Sequence, residues 1–349
     1  MSNERETLAD YGWSSHFQSQ LSLHETLIPA RVIAVRRSGL EVAAPGLSMP
    51  VVPPAAADEE DSATVGDWVL LEPDRLAPKR VLARKSLFKR KAAGTGRRVQ
   101  LIAANVDTLL IVSSCNHDFN PARLERYLAL AREATVMPVV VLTKSDLAED
   151  PRAYASKAEK LLPGLLVELL DARSAEEVGR LSPWCGRGQT VALVGSSGVG
   201  KSTLVNTLAG EDAQATAAIR EDDARGRHTT TGRSLHRLAA GGWLLDTPGM
   251  RELQLTDAAA GIDDVFADIV ELAGQCRFAD CRHESEPGCA VRTSIEAGGL
   301  DATRLGRYRK LANEDRRNSE ALWQRHARDR QFGRLTRAVL KDKRERRRE

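Results

Sequence analysis

Between residues 105 and 255 the chain alternates short, unbroken apolar runs with longer amphipathic stretches. The apolar runs predict buried strands at Asp107–Ser113, Val136–Thr143, Leu165–Leu170, Thr190–Val194, Ser234–Ala239 and Trp243–Asp246. Helical spacing separates several of them, as at Ala122–Ala134. This alternation predicts a doubly wound, mostly parallel α/β sheet. A ligand is expected at the carboxyl ends of its strands. Residues 29–85 have a different rhythm. Short β-rich runs at Ala30–Val35, Gly39–Val42, Gly66–Leu71 and Val81–Ala83 are cut by turns with Gly and Pro. Their length suits a five-stranded barrel of OB type, which commonly binds oligonucleotides. A plain small β domain with a docking role is the alternative.

One predicted strand, Thr190–Val194, runs into Gly195-Ser196-Ser197-Gly198-Val199-Gly200-Lys201-Ser202, and Ser202–Ala209, with Thr203 second, has helical spacing. This is G-x-x-x-x-G-K-[ST] in its required strand–loop–helix setting. The glycines let successive backbone N–H groups converge on a phosphate, and the helix dipole adds to their pull. Lys201 is expected to reach the β- and γ-phosphates, and Ser202 to ligate Mg²⁺. Downstream, Asp246-Thr247-Pro248-Gly249 follows another buried strand. Asp246 there can hold Mg²⁺ through water, and Gly249 can contact the γ-phosphate through its backbone. Between them, Gly226-Arg227-His228-Thr229-Thr230-Thr231-Gly232 reads as a mobile loop. Its place suits a switch that orders around γ-phosphate and Mg²⁺. Spacing favours Thr230 as the third metal contact, with Thr229 and Thr231 as alternatives.

A guanine-reading motif, Thr143-Lys144-Ser145-Asp146, lies upstream of the phosphate loop. The Asp146 carboxylate can accept from guanine N1–H and N2–H₂ together, and the Lys144 stem can cover the purine face. Ordinary GTPases carry Asn where this chain has Thr143, so one supporting contact is expected to be weaker. Leu169-Leu170-Asp171-Ala172 is a candidate for the last, degenerate guanine loop. In ordinary GTPases the phosphate loop comes first. The inverted order here implies a circularly permuted chain.

Beyond the second switch, Cys276, Cys281, His283 and Cys289 give C-x₄-C-x-H-x₅-C. Three thiolates and an imidazole match a closed, structural Zn²⁺ shell with no position left for water. Cys115 and Cys185 read as packing and loop thiols. The near balance of 51 Lys+Arg against 48 Asp+Glu hides segregation. Residues 75–98 carry ten Lys/Arg and no acid, and residues 325–349 carry eleven against four acids. Such patches suggest an acidic polymer as partner. No apolar run approaches membrane-spanning length and no signal-like segment opens the chain. The cysteine usage fits a reducing cytoplasm.

Together with Ile102-Ala103-Ala104-Asn105-Val106-Asp107, Phe119-Asn120, Arg123-Leu124 and Arg225–Thr231, these motifs closely resemble the RsgA/YjeQ family of circularly permuted, ribosome-dependent GTPases. The resemblance spans roughly residues 28–315. It implies an OB-fold RNA-binding domain (28–92), a linker (93–104), a permuted GTPase domain (105–255) and a zinc-binding helical C-terminal domain (256–349), whereas the N-terminal extension (1–27) and the basic tail after about 330 depart from the family core and take no role from the resemblance. It further implies a cytoplasmic monomer that binds the small (30S) ribosomal subunit and its rRNA. GTP hydrolysis to GDP would then trigger release late in subunit maturation. Ras-like enzymes orient water with a Gln after D-x-x-G, whereas this chain has Met250-Arg251-Glu252. The family's proposed substitute is a switch histidine, which His228 matches. A contact of His228 with RNA or phosphate is the other reading. The competing function is a nucleotide-gated RNA-binding assembly factor in which GTP binding is the event that counts.

Overall fold

The computed structural model describes residues 6–56, 58–91, 99–210, 233–247, 250 and 255–319. The N-terminal unit is built on β1 (Ile28–Arg36), which pairs antiparallel with β2 (Gly39–Ala44). β3 (Leu47–Val51) continues from β2, and β4 (Trp68–Leu71) pairs with the first half of β1 and then with β5 (Pro78–Val81). The order β3-β2-β1-β4-β5 gives a partly open five-stranded antiparallel unit, as an OB-type chain requires. Alternate residues point inward. Ala30, Val32, Leu40, Val42, Ala44, Val69 and Leu71 form its core. β3 escapes the periodicity reading because Pro50 interrupts it; a strand with a missing donor suits the sheet edge where β3 lies. The expected linker contains a strand: β6 (Leu87–Lys91) and β7 (Val99–Ala104) form a separate hairpin sheet.

β8 (Thr108–Ser114), β9 (Met137–Thr143), β10 (Leu166–Leu169), β11 (Thr190–Gly195), β12 (Arg233–Arg237) and β13 (Trp243–Asp246) complete the main sheet. Their spatial order is β10-β9-β8-β11-β13-β12. All pairs are parallel except β12 with β13. From β8 the chain winds outward through β9 and β10. From β11, which returns to the other side of β8, it winds the opposite way. The switch point therefore lies between β8 and β11, where a doubly wound sheet opens its crevice. β12 also pairs with β1, Ala34 opposite Ser234, so one continuous sheet joins the two units.

Residues 6–20 fasten this junction. Phe17 is fully buried, and Trp13 meets Trp68 edge-on at 4.7 Å. The Trp243 indole donates to the Asp10 carbonyl at 2.9 Å, and the Arg237 guanidinium lies over Tyr11 and Trp243 at 5.0 and 4.4 Å. Arg31 is 1% exposed and donates to the Tyr11 carbonyl (2.6 Å), the Asn105 carbonyl (3.3 Å) and the Thr190 hydroxyl (2.7 Å). Burial brings its pKa down to about 10, so it stays charged and draws its three acceptors together.

Helix α1 (Pro121–Glu133) follows β8, α2 (Pro151–Glu159) follows β9, and α3 (Lys201–Ala209) follows β11. The C-terminal region folds as α4 (Ala259–Val265), α5 (Ala267–Ala273), α6 (Ala290–Glu296) and α7 (Ala302–Ser319). Gly261 lets α4 press against α1: a Cβ there would stand 2.3 Å from the Ala129 carbonyl oxygen. Ion pairs tie α7 to α1. Glu125, fully buried, accepts from Arg304 (3.0 Å) and Arg307 (2.6 Å), and Arg126 forks onto Glu314 (2.6 and 2.7 Å).

Candidate nucleotide site and metal centre

Every described residue of the expected phosphate and guanine loops lies at the carboxyl end of the sheet. Gly195 ends β11 opposite Val112, and Thr143 ends β9 opposite Ser114, both against β8. The glycines of the phosphate loop are required by geometry. Gly195 has φ +147°, and a Cβ on it would fall 2.2 Å from the Val112 carbonyl oxygen. Gly198 and Gly200 have φ +79° and +90°, in the left-handed region. Ser196, Ser197 and Val199 complete the loop, and α3 starts at Lys201, so the first N–H groups of that helix face the loop. Ser202 and Thr203 are exposed on its first turn. The Lys201 ammonium donates to the Ser196 carbonyl oxygen.

Thr143 does more than the sequence implies. Its hydroxyl is buried, 2.6 Å from the Val199 carbonyl oxygen and 3.1 Å from that of Ser113. It therefore ties the guanine loop to the phosphate loop, where weaker support was expected of a Thr. Lys144 turns the chain with φ +57°, presenting Asp146 on the surface. The Asp171–Ala172 loop closes in beside it. Arg173 donates to Asp146 (2.7 Å) and to Asp171 (3.0 Å), and the Thr207 hydroxyl of α3 donates to the Ala172 carbonyl (2.7 Å). Hydrogen bonds from Arg173 hold the Asp171 carboxyl below its ordinary pKa. Neither Arg173 nor the Thr143 link carries a motif signal; the chain's neighbours in space reveal them.

Asp246 ends β13, paired across to Ser234 on β12 and one strand from the phosphate loop. Met250 is buried in the core at 3% exposure, so its side chain faces away from solvent as well as lacking a polar group. His228, Thr230 and Gly249, with the rest of the 226–232 loop and the basic tail after residue 325, lie outside the described residues. The other basic segment is less available than its count implies. Lys79, Arg80, Arg84, Lys85 and Lys89 pair with Glu72, Glu25, Asp67, Asp107 and Glu60.

Cys276, Cys281, His283 and Cys289 converge, with their ligand atoms all within 4.8 Å of one another. The His283 Nδ1 is 3.6 Å from Cys276 Sγ and 3.4 Å from Cys289 Sγ, and those two sulfurs are 3.9 Å apart. Tetrahedral zinc, with Zn–S about 2.3 Å and Zn–N about 2.0–2.1 Å, gives S···S about 3.8 Å and S···N about 3.5 Å. The donor set fits zinc in both identity and spacing. Burial and then the Arg309 charge hold the His283 imidazole below its ordinary pKa, in the neutral form a metal needs. Cys289 also caps α6, its sulfur accepting from the Arg292 N–H at 3.4 Å. Burial pushes the Cys115 thiol up to about 11 and that of Cys185 up to about 12, which suits packing and not reaction.

A phosphate loop and a guanine loop in reversed chain order, meeting at the switch point of one parallel sheet, define a circularly permuted P-loop GTPase. Residues 81–256 match the RsgA GTPase family. The small ribosomal subunit biogenesis GTPase RsgA 2 of Vibrio parahaemolyticus is 52% identical over 341 residues, 97% of this chain and 94% of its own. The small ribosomal subunit biogenesis GTPase RsgA of Mesorhizobium japonicum is 54% identical over 323 residues, 90% of this chain and 91% of its own. Two solved structures share the fold at 24% identity. YjeQ from Thermotoga maritima has a TM-score of 0.60, covering 82% of this chain and 97% of its own; YloQ, a circularly permuted GTPase, has 0.58, covering 86% and 99%. The chain belongs to the RsgA family and is a GTP hydrolase.

Proposed function

We propose that the chain binds the small ribosomal subunit and its rRNA late in that subunit's maturation and couples GTP hydrolysis to its own release. The observation that carries this is the reversed pair of loops on one sheet, in a chain about half identical over nearly its full length to small ribosomal subunit biogenesis GTPases. Asp146 reads guanine, supported by Thr143 and Lys144. The Gly195–Ser202 loop and Thr203 wrap the phosphates, and Gly249 meets the γ-phosphate. Mg²⁺ sits among Ser202, Asp246 and Thr230. His228 orients the attacking water, a role that general acid–base groups fill at about 10²–10⁴-fold in rate. Residues 28–92 form the OB module, 105–255 the GTPase and 256–349 the zinc-bearing region, working as a cytoplasmic monomer. No described helix is long and apolar enough to cross a membrane.

Turnover should be slow for the free protein and rise on small subunits. The test is the steady-state GTPase rate alone and with small subunits, large subunits or naked rRNA. Stimulation by small subunits alone supports the proposal. Subunit affinity that depends on GTP while the rate stays flat would instead make binding the functional event. His228→Ala should keep GTP and subunit binding but lose stimulated single-turnover hydrolysis.

A further inference from the structure

α1 begins beside the phosphate loop, and Arg123 in its first turn reaches into it. The Arg123 guanidinium donates from Nη1 to the Ser196 hydroxyl, while the Lys201 ammonium donates to the carbonyl oxygen of the same residue. Two cations therefore converge on one residue of an anion-binding loop. An anion bound in this loop would meet both charges. Among the described residues no carboxylate pairs with Arg123; the nearby Glu125 turns to the opposite partner, α7. Nor is charge needed to fix the helix here. Asn120 caps it, accepting from the Arg123 N–H at 3.2 Å, and Leu124 and Leu128 are buried.

We propose that Arg123 is a catalytic residue, a guanidinium supplied in cis to the phosphoryl group during hydrolysis. This rests on the nucleotide-site reading above and adds a residue to it. In the reaction a water oxygen forms a bond to Pγ as the bond from Pγ to the β,γ-bridging oxygen breaks. The electron pair leaves on the β-phosphate of GDP, and the water proton ends on inorganic phosphate. Charge on the transferring group and the bridging oxygen is what a guanidinium fork stabilises. The Ser196 hydroxyl is the contact that holds Arg123 at the loop, and the phosphate oxygens outcompete it because they are charged. Met250, buried and apolar, offers no polar group at the neighbouring position.

The test uses the full chain carrying Arg123→Ala, Arg123→Gln and Arg123→Lys, with thermal midpoints measured to show that each folds. Readouts are affinity for GDP and a non-hydrolysable GTP analogue, single-turnover hydrolysis with and without small subunits, and formation of the GDP–aluminium fluoride complex. For the Ala and Gln variants, affinities should stay within about threefold while the rate falls, since the contact is made in the transition state. The loss should be of the order of 10³-fold. Both variants should fail to form the aluminium fluoride complex. Arg123→Lys should recover part of the rate, and millimolar guanidinium should partly rescue Arg123→Ala. Wild-type hydrolysis by the Gln variant would overturn the proposal. So would a parallel loss of GDP and GTP affinity with the rate of bound GTP unchanged, which marks a structural clip. Lys201→Ala serves as the control for the site: if it retains both affinities, the phosphate-loop assignment itself fails, whatever Arg123 does.

Discussion

Replacing Glu125 by Gln tests how the C-terminal region is held to the GTPase core. The carboxylate is 0% exposed and accepts from Arg304 Nη1 at 3.0 Å and Arg307 Nε at 2.6 Å. Gln keeps the shape but turns one acceptor into a donor facing a guanidinium. Breaking a buried pair from one side costs about 3–5 kcal/mol. Two features reduce that here. Arg304 keeps its bonds to Asp268 at 2.7 and 3.0 Å, and Arg307, at 23% side-chain exposure, can turn toward water. The expected loss is therefore about 2–3 kcal/mol. The Arg126–Glu314 pair, 26% and 27% exposed, is worth less, about 0.5–1 kcal/mol. Urea unfolding of Glu125→Gln, Glu314→Gln and the double variant measures both terms. Amide exchange should rise across α7 while β8, β9 and β11 stay protected. A Glu125→Gln variant within about 0.5 kcal/mol of wild type, with unchanged exchange in α7, would refute the clamp.

Three further outcomes follow from other sites. Thr143→Val leaves the Val199 carbonyl oxygen without its hydroxyl partner, a cost of about 1–3 kcal/mol; GDP titration should show roughly tenfold weaker binding, and Thr143→Ser should restore it. Purified protein should contain about one zinc per chain, and Cys281→Ser should abolish it and expose α6 to proteolysis while sparing GDP binding, because the metal organises the 276–289 loop locally. Hydrogen bonds from Arg187 hold the Asp10 carboxyl far below its ordinary pKa. The folded state therefore binds fewer protons, and the contribution is full above the unfolded value of about 3.9, shrinks as pH falls below it and is gone only below the much lower folded-state pKa. Unfolding free energies at neutral pH and near pH 3 should show Asp10→Asn less stable than wild type at both, with a somewhat smaller gap at pH 3.

The site was legible where chemistry is local. The phosphate loop needs Gly at fixed offsets because Gly195, Gly198 and Gly200 take positive φ, and that requirement is written in a run of eight residues. The candidate metal ligands lie within fourteen residues and close on themselves. The central strands β8, β9, β11 and β13 were legible because they are buried on both faces and read as nearly continuous apolar runs. What was hidden depends on partners distant in sequence. The basic count over residues 75–98 overlooks Glu25, Asp67 and Asp107, which lie outside the window and neutralise three of its charges. Residues 6–20 have no motif, yet Tyr11, Trp13 and Phe17 find Trp243 and Trp68 across the junction. Thr143 looked like a loss at an Asn position, but its partner, the Val199 carbonyl, is 56 residues away and invisible until the sheet closes.

Permutation explains why these long-range ties concentrate where they do. In this chain the phosphate strand β11 stands in the middle of the sequence, with a module before it and another after it. The module before is joined through β12, the strand that begins at Arg233, directly after the 226–232 loop, and pairs with β1. Arg233 itself donates to the Leu101 carbonyl of the intervening hairpin. The module after is joined through α1, whose first turn carries Arg123 against Ser196 and whose next residues carry Glu125 and Arg126 against α7. One flank thus grips the strand that follows the 226–232 loop in sequence, and the other grips the helix that touches the phosphate loop. α1 therefore contacts both α7 and the phosphate loop. On the proposal that small subunits stimulate turnover, a partner bearing on the C-terminal region would act through this contact without entering the nucleotide site.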